Sequence, residues 1–136
     1  YKVTTDPSLH YLRNPLTVRG TAILVAPQQA RGSHKIGKHR GQYRALVQTG
    51  NKVKIWRDSN KDAILDHFVD EVKGYYGINV HRASSKQEST KIGRHSAGCV
   101  VFADPTDFDF FMRTCGIQLE LIANKFTLTV INGKYP

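Results

Sequence analysis

Asp104-Pro105 opens the one long helical signature in this chain, and it limits what the remainder can build. Asp104 is an N-cap acceptor and Pro105 suits the first helical position, after which Phe108, Phe111, Met112, Cys115, Leu119 and Ile122 recur on one face. A stripe of this kind needs an apolar surface to cover. The other apolar runs are short, rich in β-formers and broken by Gly or Pro: 16–26 (stopped by Pro27), 43–48, 52–56, 78–81, 100–103 and 126–131 before a Gly133 turn. The expectation is a mainly β (α+β) fold, a sheet or sandwich core with one long amphipathic helix. Cys115 falls in the helical stripe and reads as a small buried hydrophobe, while Asn124 can cap the helix end.

The finer reading follows from turn chemistry. Pro7 and Pro15 make 1–15 an extended lead-in without chemistry, and the three glycines and many cations of 27–41 predict an irregular surface loop. A sharper possibility is that His34, Lys38, His39 and Arg40 line an anionic substrate groove. Thr49-Gly50-Asn51, between two alternating runs, predicts a β-hairpin with Trp56 at the edge of the core. Asp58-Ser59-Asn60-Lys61-Asp62 starts like a calcium loop. Ala63 stands where that loop needs glycine and Val69 where it needs glutamate, so a capped turn is expected instead. Ile64, Leu65, Phe68, Val69 and Val72 fit a short helix or a continuing strand.

Length and 40% apolar content suffice for a single domain over 1–136, with no second domain and no repeat. Lys and Arg exceed Asp and Glu by 20 to 11, giving +9, which favours polyanionic surroundings such as nucleic acid, anionic lipid or bacterial wall polymers. No apolar run is long enough to span a membrane, and no residue pattern suggests a metal or cofactor. The chain begins at Tyr1 rather than Met, so the lack of a leader says nothing about secretion. Two cysteines exclude a disulfide scaffold. Aromatic residues do not interleave with the cations in a nucleic-acid motif, so no nucleic-acid partner is expected, and a monomer is.

Chemistry concentrates in residues 77–99, GINVHRASSKQESTKIGRHSAGC. Ile78 and Val80 fall on one face of a strand, Asn79 and His81 on the other. A histidine leaving one strand can meet a cysteine entering an antiparallel neighbour, and an imidazole within reach makes a thiol a nucleophile. Backbone N–H groups around Gly98 and Cys99 are candidate oxyanion donors, and the Ser96 hydroxyl can orient the loop or the imidazole.

This pattern, a strand histidine followed by S-x-G-C entering a strand, resembles the L,D-transpeptidase (YkuD-type) catalytic domain. The residues that carry the resemblance are His81, Ser96, Gly98 and Cys99, with seventeen residues between His81 and Cys99. It implies a Cys99 nucleophile, a His81 base, a backbone carbonyl in 93–96 orienting the imidazole, and peptidoglycan stem peptides as substrate through a thioester. The setting would be periplasmic or extracellular, or a wall reached by phage or secretion delivery. Arg82 replaces the glycine usual after the histidine, Ala97 the second histidine, and Val101 an Arg or Asn that anchors substrate. Arg82, Arg94 and His95 can supply that positive contact, with Tyr76 as a further substrate contact. Against this stands a non-catalytic basic module that binds an anionic wall polymer.

Overall fold

Two sheets organise residues 1–133, which the computed structural model describes. In chain order the elements are β1 (Val3–Thr4), α1 (Leu9–Arg13), β2 (Thr21–Leu24), β3 (Gln28–His39), β4 (Tyr43–Gln48), β5 (Val53–Asp58), β6 (Val72–Gly74), β7 (Val80–Arg82), β8 (Val100–Phe102), α2 (Pro105–Leu121) and β9 (Phe126–Val130). The larger sheet runs β1-β8-β7-β4-β3-β9 and the smaller β2-β5-β6. The fold is therefore mainly β, of α+β type. Only one described strand pair, β7 with β8, is parallel, and the segment joining them is the loop that ends at Cys99.

The core shows why these runs became strands. Ala22 and Leu24 of β2, with Val53 and Ile55 of β5, face the larger sheet and meet Leu46, Val80, Val100 and Phe102 in one cluster. The alternate residues Ile23, Val25 and Trp56 form a second small cluster covered by Leu65. Helix α2 starts as its cap predicts, the Asp104 carboxylate accepting from the Thr106 N–H at 2.7 Å, and it sinks Phe108, Met112 and Cys115 into the main cluster. The stripe then leaves the core: Leu119 and Ile122 are exposed. Asn124 does not cap the helix. Its side chain bonds the backbone N–H and C=O of Ile36 on β3 and so fastens the α2–β9 connection to the sheet.

Several expectations are corrected. The lead-in is not a loose extension: β1 pairs with β8, and Leu12 of α1 is fully buried, so burial and edge pairing outweigh a proline-marked composition. Only the apolar half of 16–26 is strand, because Gly20 turns the chain at φ +91° against the Asp58 carbonyl. The supposed loop 27–41 holds a twelve-residue strand, since β4 and β9 flank it and supply its backbone partners. The two runs around Thr49-Gly50-Asn51 are strands but not a hairpin. β4 stays in the larger sheet while β5 joins β2 and β6, and the turn is stitched to β3 by Gly50 N–H to Ser33 O (3.0 Å) and Asn51 N–H to Gly32 O (3.2 Å). Residues 62–71 are neither helix nor strand; they form a loop in which the Asn60 and Asp62 side chains accept from the N–H groups two residues on.

Candidate active site

Strand β7 sets the site's geometry. Ile78 and Val80 enter the core, and alternation turns Asn79 and His81 to the opposite face. His81 pairs with Val101 of β8, so Cys99, two residues earlier, lies on the same face as His81 and beside Asn79, whose carbonyl accepts from Val100 N–H at 2.9 Å. The two strands are parallel, not antiparallel as expected, which offsets His81 from Cys99 by two residues along the strand. That offset corresponds to roughly 8 Å between Cα atoms, and no hydrogen bond joins the His81 ring to the Cys99 sulfur among the described residues. The sulfur of the half-buried Cys99 is held between Asn79 N–H, which donates to it, and the Gly77 carbonyl, which accepts from it, each at 3.5 Å.

The imidazole is fixed in the tautomer that a base needs. Nδ1–H of His81 donates to the Arg82 carbonyl at 2.9 Å, with the Tyr43 hydroxyl at 3.4 Å, which leaves the Nε2 lone pair free. The orienting carbonyl is thus Arg82 O, not one from residues 93–96. A second histidine stacks on it: the His39 and His81 rings lie 4.0 Å apart at 19°. His39 Nδ1 accepts from the Asn79 side-chain amide at 3.1 Å, while Asn79 Oδ1 accepts from Gln48 N–H at 3.0 Å. Gln48 also takes the N–H groups of Tyr76 and Ile78, so β4 sets where the chain enters β7.

Burial keeps this group neutral. It pushes the Cys99 thiol up from its usual range, with the Asn79 N–H and the Arg40 charge opposing, and it pulls His81 down, with the Arg82 carbonyl opposing and Arg40 and His95 adding to the fall. His39 is lowered to about 4, by burial first and then by His81 and Arg40. The resting groups are therefore a thiol and a neutral imidazole on one face of the sheet. The unfolded chain takes up a proton at His39 near pH 6.5 and the folded one only near 4, so His39's contribution to stability is complete above 6.5 and lost as pH falls to 4. We expect His39 to contribute a loss of at most about 3 kcal/mol across that window, read as a fall in the urea midpoint that His39→Phe should reduce, the remainder coming from His34 and His81, which burial also lowers.

Ser96 and Gly98 shape the turn into Cys99. Ser96 is fully buried; its hydroxyl donates to Cys99 O at 2.8 Å and accepts from Gly98 N–H at 3.2 Å. The Gly98 N–H is thus already used and is not an oxyanion donor. The Cys99 N–H has no hydrogen-bond partner among the described residues and is open to one.

The expected substrate contacts are dispersed. The Arg82 guanidinium lies over the Tyr43 ring at 4.4 Å and 3.6 Å from an Asp109 oxygen, so it is already engaged. Tyr76 carries the Arg57 guanidinium over its ring at 4.9 Å. Arg94 and His95 are exposed, and His95 lies near enough to influence His81. Of the basic segment, His34 is buried, its Nε2 on the Ile78 carbonyl at 2.6 Å, and Lys38 is exposed. His39 and Arg40 belong to the site, and Arg40 acts electrostatically on Cys99, His81, His39 and Tyr43 alike. Asn79 and Tyr43 were not singled out from the sequence; only Asn79, on the His81 face, carried a signal there. No group of three His, Cys, Asp or Glu that could hold a metal occurs among the described residues. Compared with family models, with curated proteins and with solved structures, the chain matches none.

Proposed function

We propose that this chain is a cysteine-dependent acyl-transfer enzyme acting on peptidoglycan stem peptides, in the manner of the YkuD-type L,D-transpeptidases. The observation that carries this reading is a half-buried Cys99 on the same face of adjacent strands as a His81 whose Nδ1 is committed and whose Nε2 is free. In the first step Nε2 takes the thiol proton as sulfur attacks the carbonyl carbon at an L,D-peptide bond. The oxyanion forms beside the Cys99 N–H. Collapse breaks the C–N bond, the imidazolium gives its proton to the departing amine, and a thioester remains. An amine or a water then loses a proton to Nε2 and attacks the thioester, and the thiol leaves with its proton restored. In this reading Arg40, whose charge reaches Cys99 and His81, takes the stem-peptide carboxylate in place of the engaged Arg82.

The test is mass spectrometry of soluble muropeptides incubated with the protein, with and without an added D-amino acid. Exchange of the terminal residue identifies a transferase and shortened stems a hydrolase. Muropeptides left intact under both conditions would overturn the proposal.

A further inference from the structure

A second concavity shares no residue with the Cys99 site. It lies between the start of β3 and strands β5 and β6, with a volume of about 660 Å3. Its floor is rigid, because side-chain amides tie the two sheets together. The Gln28 amide donates to the carbonyls of Val25 and Lys54, both at 2.8 Å, and accepts from Lys54 N–H at 2.9 Å. Asn51 donates to the Arg31 carbonyl at 2.7 Å. The rim is cationic: Lys54 pairs with Glu71 at 2.8 Å, whereas Arg31, Lys52 and Lys73 have no carboxylate partner among the described residues. One exposed aromatic, Tyr75, completes the wall, its hydroxyl anchored on the Gly50 carbonyl at 3.2 Å.

We infer that this cleft binds an anionic saccharide chain. An anchored tyrosine face suits the apolar side of a sugar ring, and unpaired cations around it suit carboxylates or phosphates carried on that sugar. A second groove, carrying Lys125, shares Gln29 and Arg31 with this concavity, and two adjoining cationic grooves favour a chain over a small molecule. That the chain is the wall glycan itself rests on the function proposed above; binding to the cleft does not.

The experiment measures affinity for oligogalacturonate, an anionic glycan, against a neutral chito-oligosaccharide and against polyphosphate. The anionic glycan should bind at least about tenfold more tightly than either control. A Lys52→Glu, Lys73→Glu double variant should lose that affinity, and Tyr75→Ser should weaken the glycan but not polyphosphate. Equal binding of polyphosphate, indifference to Tyr75→Ser, unchanged affinity in the double variant, or tighter binding of duplex DNA would each overturn the inference. Alkylation of Cys99 at the unaltered rate in the double variant, with glycan affinity kept in Cys99→Ala, shows that the two sites fail separately.

Discussion

Cys99→Ala is expected to remove stem-peptide turnover, a loss of at least about 10^4-fold, because no other described group stands ready to form the acyl-enzyme. The fold should survive, since the thiol makes only two long hydrogen bonds, each 3.5 Å. His81→Gln keeps an amide for the Arg82 carbonyl but removes the base, and should lower kcat by about 10^2- to 10^4-fold. The pH profile discriminates further. A neutral pair is active only with His81 deprotonated and the thiol proton in place. With His81 lowered from 6.5 and Cys99 raised from 9.0, kcat/KM should be flat from pH 6.5 to 9, with its limbs outside that window. An alkaline limb well below 9 would signal a preformed thiolate–imidazolium pair and contradict a neutral resting state, and turnover by Cys99→Ala would end the proposal.

What could be read in advance was what depends on neighbours in the chain. The Asp104-Pro105 helix start, the burial of Cys115 and the opposed faces of Ile78/Val80 and Asn79/His81 are all local, and all hold in the structure. Strand β3 was hidden because its glycines serve distant partners. Gly32, at φ +59°, lies in the irregular stretch where β3 shifts register against β9, and Gly37 leaves room for the Val47 side chain. Both look like loop residues in isolation. The failed hairpin has the same origin: Thr49-Gly50-Asn51 makes a good turn, but what each flanking run pairs with is set by β3, β7, β2 and β6. His39 escaped notice as His81's stacking partner because forty-two positions separate the two and only the sheet brings them together. The N-terminal segment misled in the same way. Leu12 looks unremarkable until β1 docks on β8 and Ser8 N–H reaches the Ser96 carbonyl at 2.9 Å, linking the lead-in to the turn before Cys99.

That turn is where a single methyl group should do most damage. Gly98 sits at φ +120°, and a Cβ there would lie 2.6 Å from the Ala22 carbonyl oxygen and 3.0 Å from the Ala22 Cβ, both on a buried strand that cannot retreat. Gly98→Ala therefore combines backbone strain with a clash against main chain, at a cost of about 3 kcal/mol or more and a Tm lowered by on the order of 10 °C. The movement that relieves the clash also breaks the Gly98 N–H to Ser96 contact and shifts Cys99 away from His81, so kcat should fall by about 10^2-fold even in the folded fraction. Gly93→Ala is the control. Its φ is +54°, but the nearest atom to the new Cβ is His95 Cδ2 at 3.9 Å, so only the left-handed backbone cost of about 1 kcal/mol remains. Thermal melts and kcat measured side by side decide it: if Gly98→Ala melts and turns over like Gly93→Ala, close packing of the turn before Cys99 on β2 is not what positions Cys99.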